Sequence, residues 1–459
     1  MYLTSDNTIC AIATPQGIGA VSMVRVSGAQ TLDILKKLTH KEQFNIRQAH
    51  RCEIYDDNDK QLDDAVILFY KAPHSYTGED VAEIFIHGSQ YIQKTLLETL
   101  INWNVKLAEP GEFTYRAFIN GKMDLLQAEA VNDLVFSTNS NYHDIALNQL
   151  RGGFSKKLNI YRTELINLTA LLELEIDFAE EDVEFASRDK LKSTIIELIS
   201  EADRLIDSYK NGNVVKRGIP IAIIGKPNVG KSTLLNALLN DDKAIVSEIP
   251  GTTRDAIEDQ ITYQGFSFRF IDTAGLQTTE DIIENIGIER SFDKMRESFI
   301  ILYLIDITEF DYYKFLEDIQ EMKNQIKDFD NKKMILVFNK IDLIEQIPSH
   351  LFDLKDYDKV FISAKRKENL EILLDDIVNS IKDIINVNED TLINIRHYEA
   401  FKEIKLSLTK ALEDINKNMP NDIVAFDLRQ SIDSIGKITG EIVNNDILDH
   451  IFANFCIGK

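Results

Sequence analysis

Cysteine is scarce in this 459-residue chain: Cys10, Cys52 and Cys456 stand apart, with no C-x-x-C pair. That excludes a zinc ribbon or a disulfide framework and fits a reducing compartment, so a cytoplasmic protein is expected. Basic charge is in deficit, with 51 Lys and Arg against 75 Asp and Glu and a net charge of −24. A broad, non-specific grip on nucleic acid needs the opposite balance. A local basic site, or a basic partner that holds the nucleic acid, stays compatible with it. Long apolar runs are missing too. The most apolar stretch, "FIILYLI" at 299–305, is far too short to span a bilayer. The N-terminal "MYLTSDNTIC" has neither the basic segment nor the apolar run of a signal peptide, so none is expected.

What is present is 44% hydrophobic and 27% charged sequence, a soluble globular composition. The length suggests about three domains. Residues 1–120 mix short β-type runs with turns. "AVSMVRVSG" (20–28), "DAVILFYKAP" (64–73) and the alternating "DVAEIFIHG" (80–88) read as strands, with a helix over 90–102. From about 122 to 212 the pattern is helical. Leu158, Tyr161, Leu165, Leu168 and Leu172 recur at three- and four-residue steps, and 191–210 repeats that stripe. Residues 218–382 alternate strand and helix, with strand candidates at 218–225, 266–272, 299–306, 333–339 and 359–363. Most are apolar throughout, as in a parallel sheet covered on both faces. After 385 the chain is helical again, and two striped helical segments need a surface to bury them.

The predicted fold is therefore multidomain, α/β plus α. An N-terminal α+β domain covers 1–121. An all-α domain is formed by 122–216 and 383–459, and an α/β domain with a mostly parallel sheet, 217–382, is inserted between them. The acidic run "ELEIDFAEEDVEF" (173–185) reads either as a cation site or as a solvated helix end and loop.

"GKPNVGKS" (225–232) fits G-x-x-x-x-G-K-[ST] between a predicted strand and a predicted helix. A chance match in a chain this long is on the order of one in a hundred at average residue usage. Gly225 and Gly230 let backbone N–H groups turn to phosphate oxygens, and the following helix adds its positive end. Lys231 is expected at the β- and γ-phosphates and the Ser232 hydroxyl on Mg²⁺. "NKID" (339–342) follows an apolar strand. Asp342 can accept from N1–H and the exocyclic amine of guanine, whereas adenine would leave that carboxylate unpaired. Asn339 is expected at the other base edge and the loop, the Lys340 stem over the ring, and the Ala364 N–H of "SAK" (363–365) at the guanine O6. "DTAG" (272–275) supplies Asp272 for Mg²⁺ through water and the Gly275 N–H for the γ-phosphate. "GTTRD" (251–255) supplies a switch threonine, and spacing leaves Thr252 and Thr253 both open. Ras-type switches follow "DTAG" with a water-orienting glutamine; here Leu276 stands in its place.

With these motifs the inserted domain resembles the Ras-like P-loop GTPases of the translation-factor class with a hydrophobic residue for the catalytic glutamine. Adding "PGEFTYRAFINGKMDLLQAEA" (110–130), "NIGIER" (285–290) and the terminal "FCIGK" (455–459), the chain resembles the MnmE (TrmE) family of tRNA modification GTPases from about residue 5 to its end. That resemblance implies an N-terminal folate-binding-like domain that makes a homodimer and an FAD-dependent partner, MnmG, in a hetero-oligomer. It implies addition of an aminomethyl or carboxymethylaminomethyl group to C5 of the wobble uridine of tRNA. The one-carbon donor is a tetrahydrofolate derivative, in its 5-formyl or 5,10-methylene form, and the tRNA is held largely by the partner.

It also implies a K⁺ ion where an arginine finger would reach, held by Asn228, Ser247, Ile249 and Thr252, which leaves Thr253 to join Ser232 on Mg²⁺. A neutral amide oxygen such as that of Asn228 can take a monovalent ion without adding charge. The general base implied is Glu284, through a bridging water. From residues alone Glu284 also reads as an ordinary helix-start carboxylate. Nucleotide contacts are implied for Val229, Thr233, Glu248, Pro250, Gly251, Thr273, Ala274, Ser363 and Lys365 besides those above. Folate contacts are implied for Arg25, Glu83, Lys122 and Lys459. As alternating strand residues, Arg25 and Glu83 read equally as exposed surface charges. Cys456 is a candidate functional thiol or a small buried residue; nothing nearby in sequence lowers its pKa.

Two positions depart from the family pattern. "QGIGAV" (16–21) lacks an arginine common between its glycines, and Gln277 stands where arginine is frequent. Gln277 is one residue along from the water-orienting position, so its side chain is directed elsewhere. The competing reading is a ribosome-assembly switch of the Era or EngA type. An Era-like chain needs a basic C-terminal RNA module with a G-x-x-G loop, and an EngA-like chain needs a second P-loop; neither is in this sequence. A membrane-remodelling switch would need a polybasic amphipathic helix, also missing.

Overall fold

The computed structural model describes residues 7–15, 17–177, 188–240, 245–246, 260–271, 292, 295–326, 329, 332–354, 357–382, 391–442 and 445–458. The chain divides into two compact units. One comprises 1–135, 147–199 and 400–459, the other 136–146 and 200–399.

The first unit opens with β1 (Ile9–Ile12), β2 (Val21–Ser27), α1 (Thr31–Thr39), β3 (Ala49–Tyr55), β4 (Gln61–Tyr70), β5 (Val81–His87), α2 (Gln90–Asn102), β6 (Lys106–Leu107) and α3 (Glu112–Ile119). The strands form one sheet in the order β3-β4-β5-β2-β1-β6. Period-two alternation makes the sheet one-sided. Val24, Val26, Ile67, Phe69, Ile84 and Ile86 are buried in one cluster with Leu35 and Leu38 of α1 and Leu96 and Leu100 of α2. The antiparallel register of β2 on β5 sets Arg25 directly opposite Glu83 on the other face.

Four helices follow in place of the helical stretch expected from 122: α4 (Leu125–Phe136), α5 (Ser140–Leu150), α6 (Gly153–Asp177) and α7 (Arg188–Arg217). Of the stripe expected on α6, Leu158, Leu165, Leu168 and Leu172 are buried, and Tyr161 is half-buried. The described part of the acidic run binds protein groups. Glu173 pairs with Arg429, and Glu175 accepts from Arg188 and Asn421 at 2.9 and 2.8 Å.

The second unit is built on β7 (Ile219–Ile224), α8 (Lys231–Leu239), β8 (Ile245–Val246), β9 (Gln260–Tyr263), β10 (Phe266–Phe270), β11 (Ile300–Asp306), α9 (Tyr312–Gln325), β12 (Lys333–Asn339), β13 (Asp358–Phe361) and α10 (Leu370–Lys382). Sheet order is β13-β12-β11-β7-β10-β9-β8. The contacts from β13 to β10 are parallel, and β9 and β8 complete an antiparallel edge. All of β11 is buried. Ile300, Leu302 and Leu304 join one core with Leu234 and Leu238 of α8 and Leu373 and Ile377 of α10. Ile301, Tyr303 and Ile305 join another with Phe315, Ile319 and Met322 of α9. Two covered faces are why this strand is apolar at every step before the closing Asp306. The chain ends with α11 (Ile395–Asn416), α12 (Asn421–Thr439) and α13 (Asn445–Phe452); within the first unit, α12 packs along α6.

Gly212, inside α7, lets segment 391–393 come close. The Ser208 hydroxyl accepts from the Leu392 N–H at 3.1 Å, and a methyl group on Gly212 would land on the Leu392 carbonyl oxygen. Gly212→Ala is expected to lower stability by about 1–3 kcal/mol despite the better helix propensity of alanine. Thermal unfolding reads it directly; an unchanged or raised melting temperature would show that the segment yields.

Candidate functional site

The phosphate loop runs from the end of β7 to the start of α8. Gly225 has φ 149° and Gly230 φ 101°. A Cβ on Gly225 would strike the Leu304 carbonyl oxygen of β11, and one on Gly230 the Asn339 amide nitrogen. Both glycines are therefore demanded by space as well as by backbone angle. Between them Asn228 also takes the left-handed conformation, at φ 62°. Lys231 Nζ donates to the carbonyls of Gly225 and Lys226 at 2.8 and 2.7 Å, so the ammonium caps the loop. Ser232 and Thr233 follow in the first turn of α8, whose N-terminal end points positive charge at this place.

Asn339 closes β12 and is 3% exposed. Its Nδ2 donates to the Val229 carbonyl at 2.8 Å, and its Oδ1 accepts from the Ala364 N–H at 3.0 Å. One amide thus ties the phosphate loop to the "SAK" loop. The Ala364 N–H expected at the guanine O6 is engaged with Asn339 here. Lys340 has φ 70°, and its Nζ bonds Asp306 Oδ2 at 2.6 Å. Burial would raise the Asp306 carboxyl; hydrogen bonds from Lys340 and Thr308 outweigh it and hold the carboxyl below its usual range. The Ser363 hydroxyl donates to Asp342 Oδ1 at 2.7 Å and holds that carboxyl low as well. Lys365 is exposed beside it. Asp306 was not singled out in the sequence; its signal is a carboxylate closing an otherwise apolar strand.

Ser247, Glu248, Ile249, Pro250, Gly251, Thr252, Thr253, Asp272, Thr273, Ala274, Gly275, Leu276, Gln277, Glu284 and Lys459 lie outside the described residues.

A second polar site lies in the first unit. Arg25, Arg47, Tyr70, His74, Ser75, Tyr76, Val81, Glu83 and Lys122 line a cleft of about 460 Å³. Arg25 Nε and Nη2 donate to Glu83 Oε1 at 3.2 and 2.9 Å, and Nη1 donates to the Gly458 carbonyl at 3.2 Å. Its guanidinium lies over the rings of Tyr76 and Phe113, at 5.3 and 5.7 Å from their centroids. The reading of Arg25 and Glu83 as exposed surface charges is thereby corrected: their side chains are 15% and 17% exposed and paired. Register explains it, because β2 and β5 place the two across from each other. Three of the expected folate contacts, Arg25, Glu83 and Lys122, meet in this cleft, and Gly458 brings the C-terminal segment to it. Arg47, Tyr70 and Tyr76 join them from separate segments and carry no motif that sequence reading could find.

Cys456 is exposed, which overturns the buried alternative; its carbonyl accepts from the Gly111 N–H at 3.4 Å. Cys10 is the buried thiol, pushed up to about 12 by burial. Among the described residues no group of three or more His, Cys, Asp or Glu could hold a metal ion, and no helix is long and apolar enough to cross a membrane.

Family models described as "GTP-binding protein TrmE N-terminus" and "MnmE helical domain" match residues 8–122 and 125–456. The tRNA modification GTPase MnmE of Cytophaga hutchinsonii is 44% identical, covering 99% of this chain and 98% of its own length. That of Christiangramia forsetii is 42% identical, covering 99% of both. Among solved structures, the G domain of the T. maritima FeoB iron transporter matches 36% of this chain and 98% of its own at 28% identity, with a TM-score of 0.26. Two family models that together span nearly all of the described sequence, and relatives matched end to end, agree on one conclusion: the chain belongs to the MnmE family of tRNA modification GTPases.

Proposed function

We propose that this chain is a K⁺-activated GTPase which, with the FAD-dependent partner MnmG, takes part in adding an aminomethyl or carboxymethylaminomethyl group to C5 of the wobble uridine of tRNA. The observation that carries the GTPase reading is the Asn339 amide, which links the phosphate loop at Val229 to Ala364 on the base side. Such a link couples grip on the phosphates to grip on guanine. Segment 1–121 serves as the folate-binding and dimerisation domain, 217–382 as the G domain, and 122–216 with 383–459 as the helical domain.

In the G domain, Lys231 leaves its loop carbonyls for the β- and γ-phosphates, and Ser232, Thr253 and Asp272 would hold Mg²⁺. Asn228, Ser247, Ile249 and Thr252 would hold K⁺. The donor chemistry fits: Asn228 already bends left-handed, and its neutral amide adds no charge. Bound K⁺ supplies positive charge against the phosphate charge that develops in hydrolysis, a task the apolar Leu276 leaves undone. Glu284 takes the proton of the attacking water through a second water. Asn339, Lys340, Asp342 and Ala364 select guanine.

The cleft fits a tetrahydrofolate derivative by size, since small-molecule pockets run about 300–1,000 Å³. Arg25, Glu83, Lys122 and Lys459 would hold it; the group supplies the one-carbon unit. Glu83 keeps lone pairs beyond those used by Arg25 for the donor edge of a pterin.

Phosphate release at equal ionic strength in KCl and in NaCl tests the K⁺ reading. Turnover in K⁺ is expected about a hundred-fold faster. Equal rates would reject it, and a protein without GTP turnover in either salt would reject the function as a whole.

A further inference from the structure

Two cations in the cleft of the first unit have no carboxylate partner among the described residues. Arg47 Nη2 donates to the His74 carbonyl at 3.1 Å, and Lys122 Nζ to the Pro73 carbonyl at 2.9 Å. They are tied to successive carbonyls of one turn and so share one wall of the cleft. Arg25, by contrast, is already matched by Glu83. Carbonyl oxygens satisfy N–H groups and leave the positive charge unbalanced. In a chain of net charge −24, that makes this wall a local reversal of sign.

Arg47 is also fixed in place. Its backbone N–H donates to the Phe69 carbonyl at 2.8 Å, and its φ is 58°, a conformation that a side-chain-bearing residue keeps only when its surroundings hold it there. A guanidinium has five N–H donors in a planar fork, and the bond to His74 uses one end of it. The rest suits a carboxylate gripped by two parallel hydrogen bonds.

We propose that Arg47 is the residue by which the cleft selects ligands with an anionic tail: it grips the glutamate carboxylates of the tetrahydrofolate derivative, with Lys122 beside it. Arg25 and Glu83 are left for the pterin end. This rests on the folate reading above.

Calorimetry on the full-length chain tests it with 5-formyltetrahydrofolate and with the dimethyl ester of its glutamate, nearly the same size but without the charges. The parent is expected to bind the free acid more tightly by about ten-fold or more, the lower end for a hydrogen bond to a charged group. Arg47→Gln should shrink that preference about ten-fold and leave the ester's affinity unchanged, while Arg47→Lys should retain part of the preference. The inference is overturned if Arg47→Gln weakens both compounds alike, if it leaves the preference whole, or if the parent binds acid and ester equally. If the parent binds neither compound, the folate reading falls and this inference with it.

Discussion

Replacing Gly230 with alanine is expected to lower GTP affinity by about a hundred-fold, the equivalent of roughly 3 kcal/mol. Two costs combine. The residue holds φ 101° at the start of α8, which strains any side-chain-bearing residue by about 1–3 kcal/mol. The new methyl group would also strike the Asn339 amide nitrogen. That nitrogen bonds the Val229 carbonyl, and its sister oxygen holds the Ala364 N–H, so pushing it aside releases both ends of the bridge. Buried hydrogen bonds of this kind contribute about 0.5–1.5 kcal/mol each. The chain can avoid these costs only by leaving the loop shape that receives phosphates, and lost affinity follows from that. Asn339→Ala, which removes the bridge and keeps the glycine, separates the two terms and should lose about ten-fold. Titration of a fluorescent GTP analogue in Mg²⁺ measures all three proteins. An affinity for Gly230→Ala within about three-fold of the parent would mean that Asn339 moves aside freely and has no part in shaping the loop.

The phosphate loop and "NKID" were legible in the sequence because each follows a mostly apolar strand, β7 and β12. The covered faces of β7, β11 and β12 left a nearly continuous apolar signal. Strands with weaker signals escaped. In β3 only Ile54 is buried, so its pattern is mostly polar, and β6 and β8 span two residues each. The roles of side chains were harder to read than their presence. Asn339 was expected near a base edge, and its bonds to Val229 and Ala364 depend on two loops meeting across the sheet. Lys340 was expected to lie along a ring. Its ion pair with Asp306 joins residues 34 positions apart, a proximity set by β11 pairing with β12 in register. The cleft in the first unit was legible only through family likeness. Its residues come from β2, β4, β5, the turns around Arg47 and His74 and the segment after α3 that carries Lys122, and no spacing along the chain records that they converge.

Asp342→Asn is expected to weaken GTP binding by about a thousand-fold and to strengthen binding of xanthosine triphosphate, so that the preference between the two bases inverts. Guanine offers two donors on one edge, N1–H and the C2 amine, and a carboxylate accepts both. Xanthine carries a carbonyl at C2, which an anionic Asp342 repels and an asparagine amide can donate to. The Ser363 hydroxyl strengthens the case. It donates to Asp342 Oδ1 at 2.7 Å and holds the carboxyl below its usual range. A depressed carboxylate is fully anionic above its ordinary pKa and becomes neutral only as pH falls through the lower, folded value. Selection for guanine should therefore persist through neutral and mildly acidic solution and fade only in acid below the ordinary carboxylate range. Ser363→Ala should move that loss of selectivity to higher pH while leaving the neutral-pH preference for guanine in place. The ratio of the two dissociation constants, measured for parent and variant, decides the matter. If Asp342→Asn weakened both nucleotides equally, Asp342 would be a support for the Ser363 loop with no reading of the base.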